Sequence, residues 1–150
     1  MPELQPGDDA PAFTLLDQSG EPVALSDFKG RKVLLYFYPK ADTPGCIRQS
    51  CALRDVSGQV ADTVILGVSP DKPAKQAKFD AKYDLGFPLL ADEDHAVAGA
   101  YSVWVQKSMY GKKYMGILRS AFLIDERGTI AQAWYKVSPM DTATNLVAAL

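Results

Sequence analysis

The feature that most constrains this chain is a six-residue run, Val33-Leu34-Leu35-Tyr36-Phe37-Tyr38, apolar throughout and stopped by Pro39. A strand with one wet face alternates polar and apolar residues, whereas an unbroken run of branched and aromatic side chains fits a strand covered on both faces. Such a strand needs layers packed above and below a sheet. Thr63 to Val68 repeats the pattern, and Phe87-Pro88-Leu89-Leu90-Ala91 supplies a shorter copy. Helical segments separate these strands. Pro44 sits where a first helical residue tolerates its missing N–H, which predicts a helix from there to about Val60. Ser69-Pro70-Asp71 opens a Lys-rich helix through about Lys82, whose charges mark a solvated face. Asp92-Glu93-Asp94 offers capping oxygens to a helix through Tyr101, a role that suits these acids better than acid/base catalysis.

The two ends complete the pattern. Residues 1–11 read as an extended lead-in, and Phe13 to Leu16 followed by Gln18-Ser19-Gly20 reads as an N-terminal β-hairpin. Ala121 to Ile124, the turn Asp125 to Gly128 and the strand Ile130 to Tyr135 form a second hairpin, and a helix from near Asp141 to Leu150 closes the chain. Segment 104–117 shows no clear period. Alternating strands and helices give an α/β fold with a central mixed β-sheet flanked by helices. With 150 residues, 47% of them hydrophobic, the chain can bury one core, so a single domain spanning 1–150 is expected.

Charge narrows the partners. Acidic and basic residues are interspersed and the net charge is -2, so there is no basic footprint for nucleic acid. No apolar stretch approaches the roughly 20 residues of a membrane span. The N-terminus lacks the basic start and apolar run of a secretory signal. A cytoplasmic location, with no membrane or nucleic-acid partner, is the expectation.

The chemistry concentrates in Pro39-Lys40-Ala41-Asp42-Thr43-Pro44-Gly45-Cys46-Ile47-Arg48-Gln49-Ser50-Cys51, which holds both cysteines of the chain. Two cysteines are too few for a disulfide scaffold, and in a reducing cytosol a pair points to redox or metal chemistry more than to a structural bridge. Cys46 falls in a helix's first turn, where unpaired N–H groups and the positive end of the dipole stabilise a thiolate. Gly45 allows close approach to the backbone. Thr43, three residues before Cys46, can bring a hydroxyl to the sulfur. On an ideal helix the Cα atoms of Cys46 and Cys51 stand roughly 8.7 Å apart, beyond the limit of about 7 Å for a disulfide. If both are helical when reduced, joining them must unwind at least a turn. Two inert buried cysteines remain the competing reading at this point. A zinc site fits poorly, since the spacing is Cys-x4-Cys and His95 is the only histidine; that histidine reads more simply as decorating a helix start.

These residues resemble the peroxiredoxins, specifically the bacterioferritin comigratory protein type, or Q subfamily. Pro39, Thr43 and Cys46 satisfy the Pro-x-x-x-Thr-x-x-Cys signature of that family, and Tyr36-Phe37-Tyr38-Pro39-Lys40 with Thr43-Pro44-Gly45-Cys46 resembles the subfamily's own wording. Leu25-Ser26-Asp27-Phe28-Lys29-Gly30, Asp94-His95 with Tyr101 to Trp104, and Arg119 to Asp125 extend the resemblance over nearly the whole chain. It implies a thioredoxin-like fold and a thiol-dependent peroxidase. By the same resemblance Cys46 is the peroxidatic nucleophile, Thr43 and Arg119 support it, and Cys51 resolves the sulfenic acid as a disulfide. Arg119 is also conspicuous in itself, because a guanidinium opening an apolar strand needs an anionic or strongly polar partner. Pro39, Pro44, Gly45, Tyr38 and Trp104 are expected around the substrate. Departures from the pattern are Ile47 within Ile-Arg-Gln-Ser, in place of more usual polar residues, and Ala121, where threonine is common.

The resemblance further implies a peroxide substrate, a thioredoxin or similar dithiol reductant, no cofactor or metal, and a monomer or weak homodimer. A general thiol-disulfide oxidoreductase would need the Cys-x-x-Cys that is absent here. A non-catalytic thioredoxin-fold redox sensor would lack catalytic peroxide consumption.

Overall fold

The structure is a computed structural model that describes residues 3–60 and 62–150; the start of the expected lead-in, at positions 1 and 2, lies outside the described residues. In chain order the elements are β1 (Thr14–Leu16), β2 (Pro22–Ala24), a 3-10 turn (Leu25–Phe28), β3 (Lys32–Phe37), α1 (Pro44–Val56), β4 (Thr63–Ser69) and α2 (Pro73–Tyr83). There follow β5 (Leu89–Ala91), α3 (Ala96–Ala100), β6 (Trp104–Met109), β7 (Lys112–Ile117), β8 (Ser120–Ile124), β9 (Ile130–Trp134) and α4 (Asp141–Ala149).

Seven strands form one mixed sheet in the order β2-β1-β5-β4-β3-β8-β9. β3 pairs in parallel with β4 and antiparallel with β8, so the long apolar run of the sequence lies at the interior of the sheet. Its side chains divide between two cores. Leu34 and Tyr36 face a cluster with Cys46 and Leu53 of α1, Phe79 of α2 and Leu146 of α4. Val33, Leu35 and Phe37 face the opposite cluster, with Phe13, Val97, Tyr101 and Phe122. The period of two in a strand makes this division, and burial on both faces removes any need for a polar position.

Several boundaries differ from the sequence reading for local reasons. α1 stops at Val56, four residues early, because the Ser57 hydroxyl and N–H both turn back onto the Arg54 carbonyl. α2 starts at Pro73, since Ser69 completes β4 and Asp71 is taken up by the Ser69 hydroxyl and the Ala41 N–H. α3 is a short helix capped as expected: the buried Asp92 carboxylate accepts from the N–H groups of Val97 and Ala98, and Asp94 accepts from Ala96. The unreadable segment 104–117 is a separate two-stranded hairpin, β6 with β7. Tyr110 and Gly111, both at positive φ, make its tight turn. Much of its surface is exposed, so burial imposes no alternation that a sequence could display. Among the described residues, no helix is long and apolar enough to cross a membrane.

One glycine shapes the core beneath α1. A Cβ on Gly67 would lie 2.9 Å from the Tyr36 hydroxyl and 3.0 Å from the Leu89 side chain. Gly67→Ala is therefore expected to destabilise the fold by about 1–3 kcal/mol through overpacking, measured by denaturant unfolding; a neutral result would mean that the tyrosine ring has room to move.

Candidate active site

Cys46 lies in the first turn of α1 because Pro44 occupies the first helical position and Thr43 precedes it in an extended conformation. The Thr43 carbonyl accepts the first helical hydrogen bond, from Ile47, at 2.8 Å. Its side chain does not cap the helix; the hydroxyl donates to the Lys40 carbonyl at 2.8 Å. No N-cap side chain competes for the N–H groups of the first turn, which leaves the positive end of the helix to act on the Cys46 sulfur. The loop leading in is clamped at both sides. Ala41 donates its N–H to Asp71, and the Asp42 carboxylate, exposed and held below its ordinary pKa by hydrogen bonding to Lys82, pairs with that ammonium at 3.1 Å.

Arg119 comes from a distant part of the chain, directly before β8. Its backbone is fixed by Val137, whose N–H donates to the Arg119 carbonyl. The guanidinium donates from Nη2 to Cys46 Sγ at 3.4 Å and from Nη1 to Gln49 Oε1 at 2.7 Å. Gln49 in turn donates to the Thr142 hydroxyl at 2.9 Å, so one buried amide links the arginine to α4. Gly45 is the residue that makes this possible: a Cβ there would stand 3.0 Å from Nη2 of Arg119 and 3.5 Å from Pro139. The close approach expected at Gly45 is thus made first by the guanidinium. Cys46 is fully buried, so the guanidinium meets its sulfur in a low-dielectric site, where charges interact more strongly than in water.

Both cysteines are free and both lie in α1, Cys46 buried and Cys51 partly exposed. Pro39 follows the end of β3, half-buried, and Pro44 is exposed at the helix start. Two expected pocket residues make packing contacts of their own. Tyr38 is a core residue, fully buried, stacked on Tyr36 with its hydroxyl donating to Gln76. Trp104, half-buried, packs against the α3-side cluster and stacks on His95 at 3.8 Å. His95 takes the helix-start position expected for it, as the residue before α3. Arg48 is exposed. Among the described residues no three His, Cys, Asp or Glu side chains gather as a metal site.

The AhpC/TSA family profile matches residues 6–133. The chain belongs to that family. A Haemophilus influenzae protein, "Putative peroxiredoxin bcp", is 52% identical over 143 residues, covering 94% of this chain and 92% of the relative. Peroxiredoxin Bcp of Escherichia coli is 52% identical over 132 residues, covering 87% and 85%. Among solved structures, a cysteine-to-serine mutant of Xylella fastidiosa PrxQ superposes with a TM-score of 0.92 at 30% identity, covering 99% of this chain and 96% of that one. Xanthomonas campestris peroxiredoxin Q gives 0.86 at 37% identity, with 91% and 88% covered. The chain is a peroxiredoxin of the Q type with a thioredoxin-like fold, a thiol-dependent peroxidase.

Two residues of this peroxiredoxin site escaped the sequence reading. Gln49 looked like part of an unremarkable polar stretch, yet its place three residues after Cys46 puts both on one face of α1; that spacing was the available signal. Lys107, half-buried on β6, lies within electrostatic reach of Arg119 and Cys46, and burial followed by the charge of Arg119 lowers its pKa, with the cysteine opposing. No local pattern marks it, because its approach depends on how the hairpin packs. Gln49→Leu should slow the reaction of the cysteine with peroxide by about 10- to 100-fold, since a charged donor loses its acceptor. Stopped-flow peroxide consumption measures this, and a wild-type rate would mean that the guanidinium holds its place unaided.

Proposed function

We propose that this peroxiredoxin reduces hydrogen peroxide and organic hydroperoxides at Cys46, forms a Cys46–Cys51 disulfide, and is re-reduced by a thioredoxin-type dithiol protein. The observation that carries the assignment is the Arg119 contact to Cys46 at the uncapped start of α1. The Cys46 thiolate attacks the terminal oxygen of the peroxide. The O–O bond breaks, the sulfur becomes a sulfenic acid, and the departing alkoxide or hydroxide takes up a proton. Arg119 offsets the charge that passes from sulfur to the leaving oxygen. The Thr43 hydroxyl already donates its proton to the Lys40 carbonyl, so it meets the peroxide O–H as an acceptor. Cys51 then attacks the sulfenic sulfur and releases water. The external dithiol reopens the disulfide by exchange through a mixed intermediate.

Organic hydroperoxides are included because a Xanthomonas campestris bacterioferritin comigratory protein, similar to this chain at 36% identity and a TM-score of 0.83, is described by its alkyl peroxide reduction activity. The single seven-stranded sheet supports reading residues 1–150 as one domain, and we place the protein in the cytoplasm, where such a dithiol donor is maintained.

Cys46→Ser should abolish peroxide consumption, and Arg119→Met should slow it by about 10²–10³-fold. Cys51→Ser should undergo one stoichiometric oxidation and then fail to turn over with thioredoxin. A mass and tryptic-peptide measurement after one equivalent of peroxide reads the step directly: a Cys46–Cys51 crosslinked peptide is expected. Undiminished cycling by the Cys51 variant would assign resolution to an outside thiol.

A further inference from the structure

The helix that carries both cysteines is held down by a hydroxyl pair directly under the turn that must open. Tyr36, on the interior strand β3, shares a hydrogen bond of 2.8 Å with Ser50, the residue immediately before Cys51. Both are completely buried. The phenol reaches this position only because Gly67 on the neighbouring strand has no side chain, a Cβ there falling 2.9 Å from the hydroxyl oxygen. Stacking on Tyr38 and an edge contact with Phe87 fix the ring. Burial keeps the phenol protonated, and its bond to Ser50, which lies between Cys46 and Cys51 in α1, places the hydroxyl beneath the span between the two sulfurs.

Unwinding this span carries Ser50 away from Tyr36. Two buried hydroxyls that satisfied each other must then find water, and the helical state is favoured by the difference. We propose that the Tyr36–Ser50 pair is a positioning element that sets how readily α1 unwinds, and thereby how the Cys46 sulfenic acid divides between two fates. In one, Cys51 attacks the sulfenic sulfur, forming the S–S bond and releasing water. In the other, a second peroxide transfers an oxygen to that sulfur, leaving a sulfinic acid and an alcohol or water. A tighter pair lengthens the life of the sulfenic acid and raises the sulfinic fraction. This inference rests on the proposed closure between Cys46 and Cys51.

The two partners are not equivalent when removed. Tyr36→Phe leaves a Ser50 hydroxyl that can turn to its own helix carbonyl four residues back. Ser50→Ala leaves the buried phenol with no partner, which penalises the helical state more. Ser50→Thr retains the hydroxyl. The test measures, in wild type and these three variants, the peroxide concentration at which half of Cys46 becomes sulfinic acid, by mass spectrometry during turnover with thioredoxin. Rapid-quench rates of peroxide attack and disulfide closure are taken on the same samples. The ratio of closure to attack should rise about 2- to 10-fold in Tyr36→Phe and further in Ser50→Ala, with the half-sulfinic concentration rising in step. Ser50→Thr should stay near wild type. A general loss of packing would lower the melting temperature without ordering the variants in this way. Ratios equal to wild type in both Tyr36→Phe and Ser50→Ala would overturn the inference while leaving closure intact; absence of a Cys46–Cys51 crosslink in wild type would instead strike the closure itself.

Discussion

The contact between the Arg119 guanidinium and the Cys46 sulfur is the point on which the organisation of this molecule converges. It brings the start of α1 against the residue that opens β8, and those two segments are neighbours only because β3 lies between β4 and β8 in the sheet. Around it every other group has a supporting task. Gly45 removes the side chain that would block the arginine, Gln49 accepts its second N–H and passes the tie to α4, and Val137 fixes its carbonyl. A half-buried guanidinium without such partners would destabilise the fold; with them it holds positive charge at the sulfur without reorganising.

The frame of the fold was legible because burial on both faces writes itself into composition. Val33 to Tyr38 and Val64 to Val68 admit no polar side chain beyond a tyrosine hydroxyl, Pro39 and Pro44 punctuate the chain after the first run, and Asp92 caps α3 where its spacing indicated. The place of Cys46 in the first turn of α1 was legible for a similar reason, since a proline at the first helical position fixes its register relative to the helix end. What remained hidden depended on contacts between distant segments. The β6–β7 hairpin stands apart from the main sheet with little burial, so nothing in its sequence has to alternate. Tyr38 and Trp104 are aromatic residues that the sequence associates with the site, and only packing reveals that one donates to Gln76 and the other stacks on His95. Gln49 differs from a surface glutamine solely in what faces it.

α1 is anchored unevenly. Its C-terminal half is secured by the fully buried Leu53 and by Arg54, which donates to the Tyr83 carbonyl at 2.6 Å. Its N-terminal half buries Cys46 in the same core and adds side-chain hydrogen bonds that join Cys46, Gln49 and Ser50 to Arg119, Thr142 and Tyr36. Apolar burial is indifferent to small rotations, whereas hydrogen bonds are directional and are lost when their partners turn away. The proposed unwinding therefore has its natural place upstream of Leu53, with the stretch held by Leu53 and Arg54 as the firm remainder.

That firm remainder has a kinetic consequence. The stretch that the proposed unwinding would free is bounded by the clamp of Ala41 on Asp71 at one side and by Leu53 and Arg54 at the other, so the two sulfurs would stay on a very short leash. Tethers of this length give local concentrations of millimolar or above, and loops of such size close within about 100 ns. For the closure proposed above, encounter of the Cys51 thiol with the oxidised Cys46 sulfur is then not the slow event, and the step is first order: it runs at one rate whether the protein is scarce or abundant in the cell.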